Sequence, residues 1–96
     1  MPMIIGACTI QLYLPGVSSL KEKRGQLKPL LTQLRRRFEV AAAEVEHQDR
    51  WQSAGIAVVT VANDSGHVYA VLENVVHWIE EEYRDLEVTG WNVELR

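Results

Sequence analysis

The sequence predicts an α+β domain of order βαββαβ, a four-stranded antiparallel sheet with two helices on one face. Three patterns carry that expectation. Apolar and polar residues alternate at both ends of the chain, two segments between them repeat their apolar residues every three or four positions, and the β-branched run Ile56 to Val61 separates those segments. At 96 residues and 47% hydrophobic content the chain supports one core, and so a single domain spanning 1–96 with no linker.

In the first strand Ile4, Cys8, Ile10, Leu12 and Leu14 alternate with Thr9, Gln11 and Tyr13, the period of a strand with one buried face. Pro15-Gly16 breaks it, and Ser19 with Glu22 three residues later makes a capping box that starts a helix. Along that helix Leu20, Leu27, Leu31, Leu34 and Phe38 gather in one arc as a buried stripe ~30 Å long, while Lys21, Arg24, Lys28 and Arg35 line a flank. Pro29 removes the amide that would bond to the carbonyl of Gly25, which predicts a kink between them.

Residues 39–47 admit a helix through their alanines or a strand through Val40, Ala42 and Val45. Strand is preferred because a polar turn, His47-Gln-Asp-Arg-Trp51, and then the β-branched run complete a hairpin. Asn63-Asp64-Ser65-Gly66 ends the third strand and offers Asp64 or Ser65 as a helix cap. Val68, Val71, Leu72, Val75, Val76, Ile79 and Tyr83 form the face of the second helix, where burial must outweigh the modest helix propensity of valine. The last strand alternates Trp91, Val93 and Leu95 with Asn92, Glu94 and Arg96, with a bulge expected at Gly90.

Right-handed crossovers then give strand order 4-1-3-2, the ferredoxin-like arrangement. Its helices run antiparallel, which brings the basic start of the first toward Glu80, Glu81, Glu82 and Asp85 at the end of the second. Those acids oppose the helix dipole and need a cation nearby.

Charge is segregated along the chain. Seven of the ten basic residues (Lys21, Lys23, Arg24, Lys28, Arg35, Arg36, Arg37) fall in one segment with a single acid, Glu22, giving that segment +6 and the remainder −9. A protein of net charge −3 can therefore present a basic face. Cys8 is the one cysteine and falls on the buried face of its strand, so no intramolecular disulfide forms and a core role is expected. With no apolar leader and no stretch near the ~20 residues that cross a bilayer, a cytoplasmic location with no membrane partner is expected.

The run Pro15-Gly16-Val-Ser-Ser-Leu-Lys-Glu-Lys-Arg24, followed by Leu27-Lys28, Val40, Ala43-Glu44-Val45 and Asp49-Arg-Trp51-Gln52-Ser-Ala54, closely resembles the YlxP-like family, small bacterial proteins of unknown biochemical function. The resemblance covers nearly the whole chain. It implies a ferredoxin-like fold. The family's genes lie beside those for transcription and translation-initiation factors and ribosome-binding factor A, which implies a connection with RNA or ribosome maturation. It supplies no catalytic residues.

The loop from Pro15 to Ser19, the start of the first helix and the hairpin loop from His47 to Gln52 are expected at one end of the sheet. There free amides, the hydroxyls of Ser18 and Ser19, and Lys21, Lys23 and Arg24 could hold a phosphate or carboxylate, with Trp51 as a stacking plane between Asp49 and Gln52. Lys28 and Arg35 extend the basic flank. The plainer alternative is that the serines only cap, the cations only pair with the second helix, and Trp51 covers the core edge. Arg35-Arg36-Arg37 divides the same way, into RNA-backbone contact or ordinary charge at a helix C-terminus.

An RNA-recognition motif stacks bases on aromatics of its central strands, but Ile56 to Val61 has none and the first strand only Tyr13, so the sheet face is not the expected RNA surface. The third strand is apolar on both faces, with Ile56 and Val58 opposite Ala57, Val59 and Val61. This fits either a second subunit or an ordinary small-residue surface.

His47, His67, His77 and Cys8 lack metal-ligand spacing and neither serine occupies a nucleophile elbow, so no metal, cofactor or enzymatic activity is expected. The expected function is non-enzymatic: a homodimeric domain that binds RNA or a ribosomal particle through its basic first helix. Two alternatives stand beside it. One is a small-molecule-binding regulatory module, because Pro15-Gly16-Val17 is similar to the ligand loop of ACT domains, with Leu14 in place of the usual acid. The other is a protein adaptor that uses the sheet edge or outer face.

Overall fold

Six elements follow along the chain: β1 (Ile4–Tyr13), α1 (Leu20–Phe38), β2 (Ala41–Glu46), β3 (Ser53–Ala62), α2 (Ser65–Glu82) and β4 (Glu87–Leu95). They are seen in a computed structural model that describes residues 2–96. The sheet is antiparallel in the order β2-β3-β1-β4, which is the expected order read from the other edge, and the fold is ferredoxin-like α+β.

Pleating of β1 sends Cys8, Ile10 and Leu12 to the helix side, where Ile56 and Val58 of β3 join them. Against this floor pack Leu27, Leu30 and Leu34 of α1 and Val68, Leu72, Val75, Val76 and Ile79 of α2. Each such side chain gains ~1.5–3 kcal/mol from burial, far more than the few tenths that valine loses in helix propensity, so α2 forms. Gly6 lets α2 lie close on β1. A Cβ there would overlap Val68 Cγ1 and stand 2.9 Å from Leu72 Cδ1.

The helix starts match the caps in the sequence. Ser19 Oγ accepts from the Glu22 N–H at 3.1 Å, and Asp64 Oδ2 accepts from the His67 N–H at 2.9 Å. The return arm of the first box differs from expectation: Glu22 Oε2 accepts from the N–H and the hydroxyl of Ser18, each at 3.1 Å, and not from the Ser19 amide. In β4 the register against β1 slips between Gln11 and Leu12, skipping Thr89 beside the expected Gly90.

Two expectations need correction. The buried stripe of α1 is rotated, with Lys23 and Leu30 joining Leu27 and Leu34 inside while Leu20, Leu31 and Phe38 are only half-buried. What lies beneath the first turns is the backbone of the β2–β3 loop, for which an ammonium is the matching group. The acids that end α2 also lack the expected partner. Glu82 to Leu86 face Gly25, Gln26 and Pro29 across a hollow, and among the described residues no ion pair joins α1 to Glu80, Glu81, Glu82 or Asp85. At that end Arg84 Nε donates to the Glu81 carbonyl at 3.4 Å. α1 remains helical through Pro29, which is exposed together with Gly25, so water can serve the freed carbonyl.

Candidate anion-binding surface

The loop after β1, the first turns of α1 and the β2–β3 loop are tied together, as the topology required. The Leu14 N–H donates to the Gln52 carbonyl at 2.9 Å, and Gln52 Nε2 donates to the Val17 carbonyl at 3.2 Å. Lys23 drives the knot: its Nζ donates to the carbonyls of His47 at 2.6 Å and Arg50 at 2.7 Å, and lies 2.7 Å from Glu44 Oε2. An ammonium has three protons, and here it faces three oxygens. His47 adopts a left-handed backbone with φ 61°, a strained choice for a residue with a side chain, while its carbonyl is held by Lys23. Glu44 Oε2 is buried and accepts no hydrogen bond, so the Lys23 charge is its compensation.

This arrangement removes part of the predicted site. Lys23 is 1% exposed and cannot reach a ligand. Ser19 is spent as a cap, and the Ser18 amide and hydroxyl, which could otherwise hold a phosphate or carboxylate, are filled by the chain's own Glu22 carboxylate. Gln52 is consumed on Val17. The loop that is similar to an ACT ligand loop is closed by Gln52 at both Leu14 and Val17.

Other predicted residues remain available. Lys21, Arg24 and Lys28 are exposed and make no ion pair among the described residues, and Asp49 is likewise exposed and unpaired. Trp51 is 53% exposed on the braced loop and does not cover the core edge. Arg35 Nε and Nη2 both donate to the Ala42 carbonyl, at 3.1 and 2.7 Å, which orients the guanidinium without cancelling its charge. Arg37 lies 5.4 Å over the Trp78 ring, itself edge-on to Phe38 and Tyr83, and so is held by a cation–π contact. Arg36 is exposed.

Sequence reasoning missed one feature. Arg24, Leu27, Lys28, Leu31, Arg35 and Glu44 enclose a groove of about 290 Å³ between α1 and β2. Arg24 and Lys28 also border a larger hollow of about 520 Å³ on the outer side of α1, opened by the bare Gly25 beside Pro29. The signal was present in the pairs 24/28 and 27/31, each one helical turn apart, but reading it required knowing that β2 lies alongside.

Cys8 is fully buried, and burial pushes its thiol up to about 11, with a hydrogen bond from the Asn92 backbone pulling slightly the other way. That makes it a poor nucleophile. Burial, with the nearby Glu82 carboxylate, also pushes the Tyr83 hydroxyl up. Among the described residues no helix is long and apolar enough to cross a membrane.

Residues 5–93 match the model of a family described as "Protein of unknown function (DUF503)". The chain belongs to that family. A curated relative, the uncharacterized protein YlxP of Bacillus subtilis (strain 168), is 30% identical over 91 residues, covering 92% of this chain and 99% of the relative. Among solved structures the de novo designed protein Foldit4 superposes with a TM-score of 0.55 at 15% identity, covering 99% of this chain and 97% of that one. This likeness concerns the fold alone. In this DUF503 chain, the segments 15–24 and 47–52 that carry the family resemblance are chiefly the two halves of a brace. They leave Lys21, Arg24 and Trp51 facing outward.

Proposed function

We propose that this protein is a non-enzymatic binding domain whose α1 face docks an anionic polymer, structured RNA being the partner class. One observation carries the proposal: Lys21, Arg24, Lys28 and Arg36 stand exposed on α1 with no carboxylate partner among the described residues, although the chain is acidic overall. At 1.5 Å per residue Arg24 to Arg35 spans ~16 Å, a length of repeated positive charge that suits a chain of phosphates better than one small anion. Trp51, exposed on a loop braced to the same end of α1, adds a plane on which a base can stack. The RNA connection implied by the YlxP resemblance points the same way.

The test is co-sedimentation with ribosomal subunits, and fluorescence anisotropy with ribosomal RNA fragments, across a salt series. Three or four phosphate contacts predict that log K falls with log salt at a slope of about −2 to −4, and that Lys21→Glu with Arg24→Glu abolishes most of the binding. Binding indifferent both to salt and to this double reversal would refute the proposal.

A further inference from the structure

We infer that the groove between α1 and β2 receives one unpaired base of the bound strand, while Arg24, Lys28 and Arg35 hold the adjoining phosphates. This deepens the RNA assignment and rests on it. The floor of the groove is Leu27 and Leu31 and its rim is cationic, a pairing that matches a flat apolar ring attached to phosphates. Its volume of about 290 Å³ lies just below the ~300–1,000 Å³ usual for small-molecule pockets, which suits one ring system. A duplex would leave the leucines unused, because A-form RNA presents phosphates and 2′-hydroxyls and keeps its bases stacked.

The cations are placed for this task. Positions 24, 28 and 35 lie within ~40° of one another around the helix. The Ala42 carbonyl takes two N–H groups of Arg35 and leaves three of its five for a ligand, so the guanidinium is oriented in advance and loses little freedom on binding. Glu44, the one acid in the groove, does not repel the strand because its carboxylate is compensated by Lys23.

The experiment compares a labelled 12-nucleotide single strand, the same strand carrying abasic sites, and the corresponding duplex, by anisotropy at one salt concentration. The intact strand is expected to bind at least about fivefold more tightly than either other form. Leu31→Gln makes the floor polar at unchanged charge, and is expected to reduce that preference while leaving the salt slope intact. Trp51→Ala separates stacking on the loop from the groove, since the preference should persist in part. The unaltered protein provides a second measurement: a 4-thiouridine strand should photo-crosslink to peptides from 24–35 or 41–46.

Equal affinity for intact, abasic and duplex RNA, crosslinks confined to 47–52, or equally effective competition by poly-glutamate would each overturn the groove assignment while leaving basic-face binding in place. A complete absence of RNA binding would remove both.

Discussion

Lys23 Nζ and Glu44 Oε2 meet at 2.7 Å beneath the first turns of α1, joining a helix to the neighbouring edge strand where water does not reach the lysine. Burying two charges gains little by itself, but removing one partner strands the other. Lys23→Met leaves the Glu44 carboxylate and the carbonyls of His47 and Arg50 uncompensated, and is expected to cost ~3–5 kcal/mol in urea unfolding. Adding Glu44→Leu should recover part of that loss. Two additive penalties would show that the residues are not coupled.

Gly6→Ala is expected to destabilise by ~1–3 kcal/mol, because the new methyl group meets Val68 and Leu72 and can be relieved only by moving α2 off β1. At ~4–8 °C per kcal/mol for a domain of this size, thermal unfolding will resolve it. An unchanged Tm would mean that α2 lies further from β1 than described.

Lys28→Glu alters an exposed residue with no ion pair, so stability should change by no more than ~0.5 kcal/mol. RNA affinity should fall, and the salt slope should lessen by ~0.7–0.9 for the lost phosphate contact. A weaker affinity with an unaltered slope would place the residue away from the strand.

The Cys8 thiol is raised from 9.0 to about 11 in the folded state, so the native protein holds its proton more tightly than the unfolded chain. The resulting stability is fully present below pH 9 and is lost as the pH rises toward 11, at up to ~1.4 kcal/mol per pH unit. Cys8→Ala should flatten that decline, as measured by unfolding between pH 8 and 11. A thiol that reacted with iodoacetamide at pH 8 as fast as in the unfolded chain would contradict its burial.

Much of this structure was legible in local pattern. The alternation through β1, the Ser19 and Asp64 caps and the spacing of Val68, Leu72, Val75 and Ile79 each report periodicity or capping chemistry, which operates within a few residues. The role of Lys23 is not legible in this way because it depends on carbonyls 24 and 27 residues away. A clue was available: Lys23 precedes Leu27, Leu30 and Leu34 by four, seven and eleven positions, squarely on the buried wheel. Composition, which groups it with its charged neighbours, hid that placement.

By itself the sequence determined the element order, the core faces of β1 and α2 and the segregation of charge, because each is written in short-range spacing. Only the tertiary structure decided which cations face water. Folding set one lysine against three oxygens, turned Arg35 onto a strand carbonyl and left Lys21, Arg24 and Lys28 exposed. The physical reason is that a charge is buried or exposed according to what lies opposite it, and what lies opposite is set by elements distant in the chain.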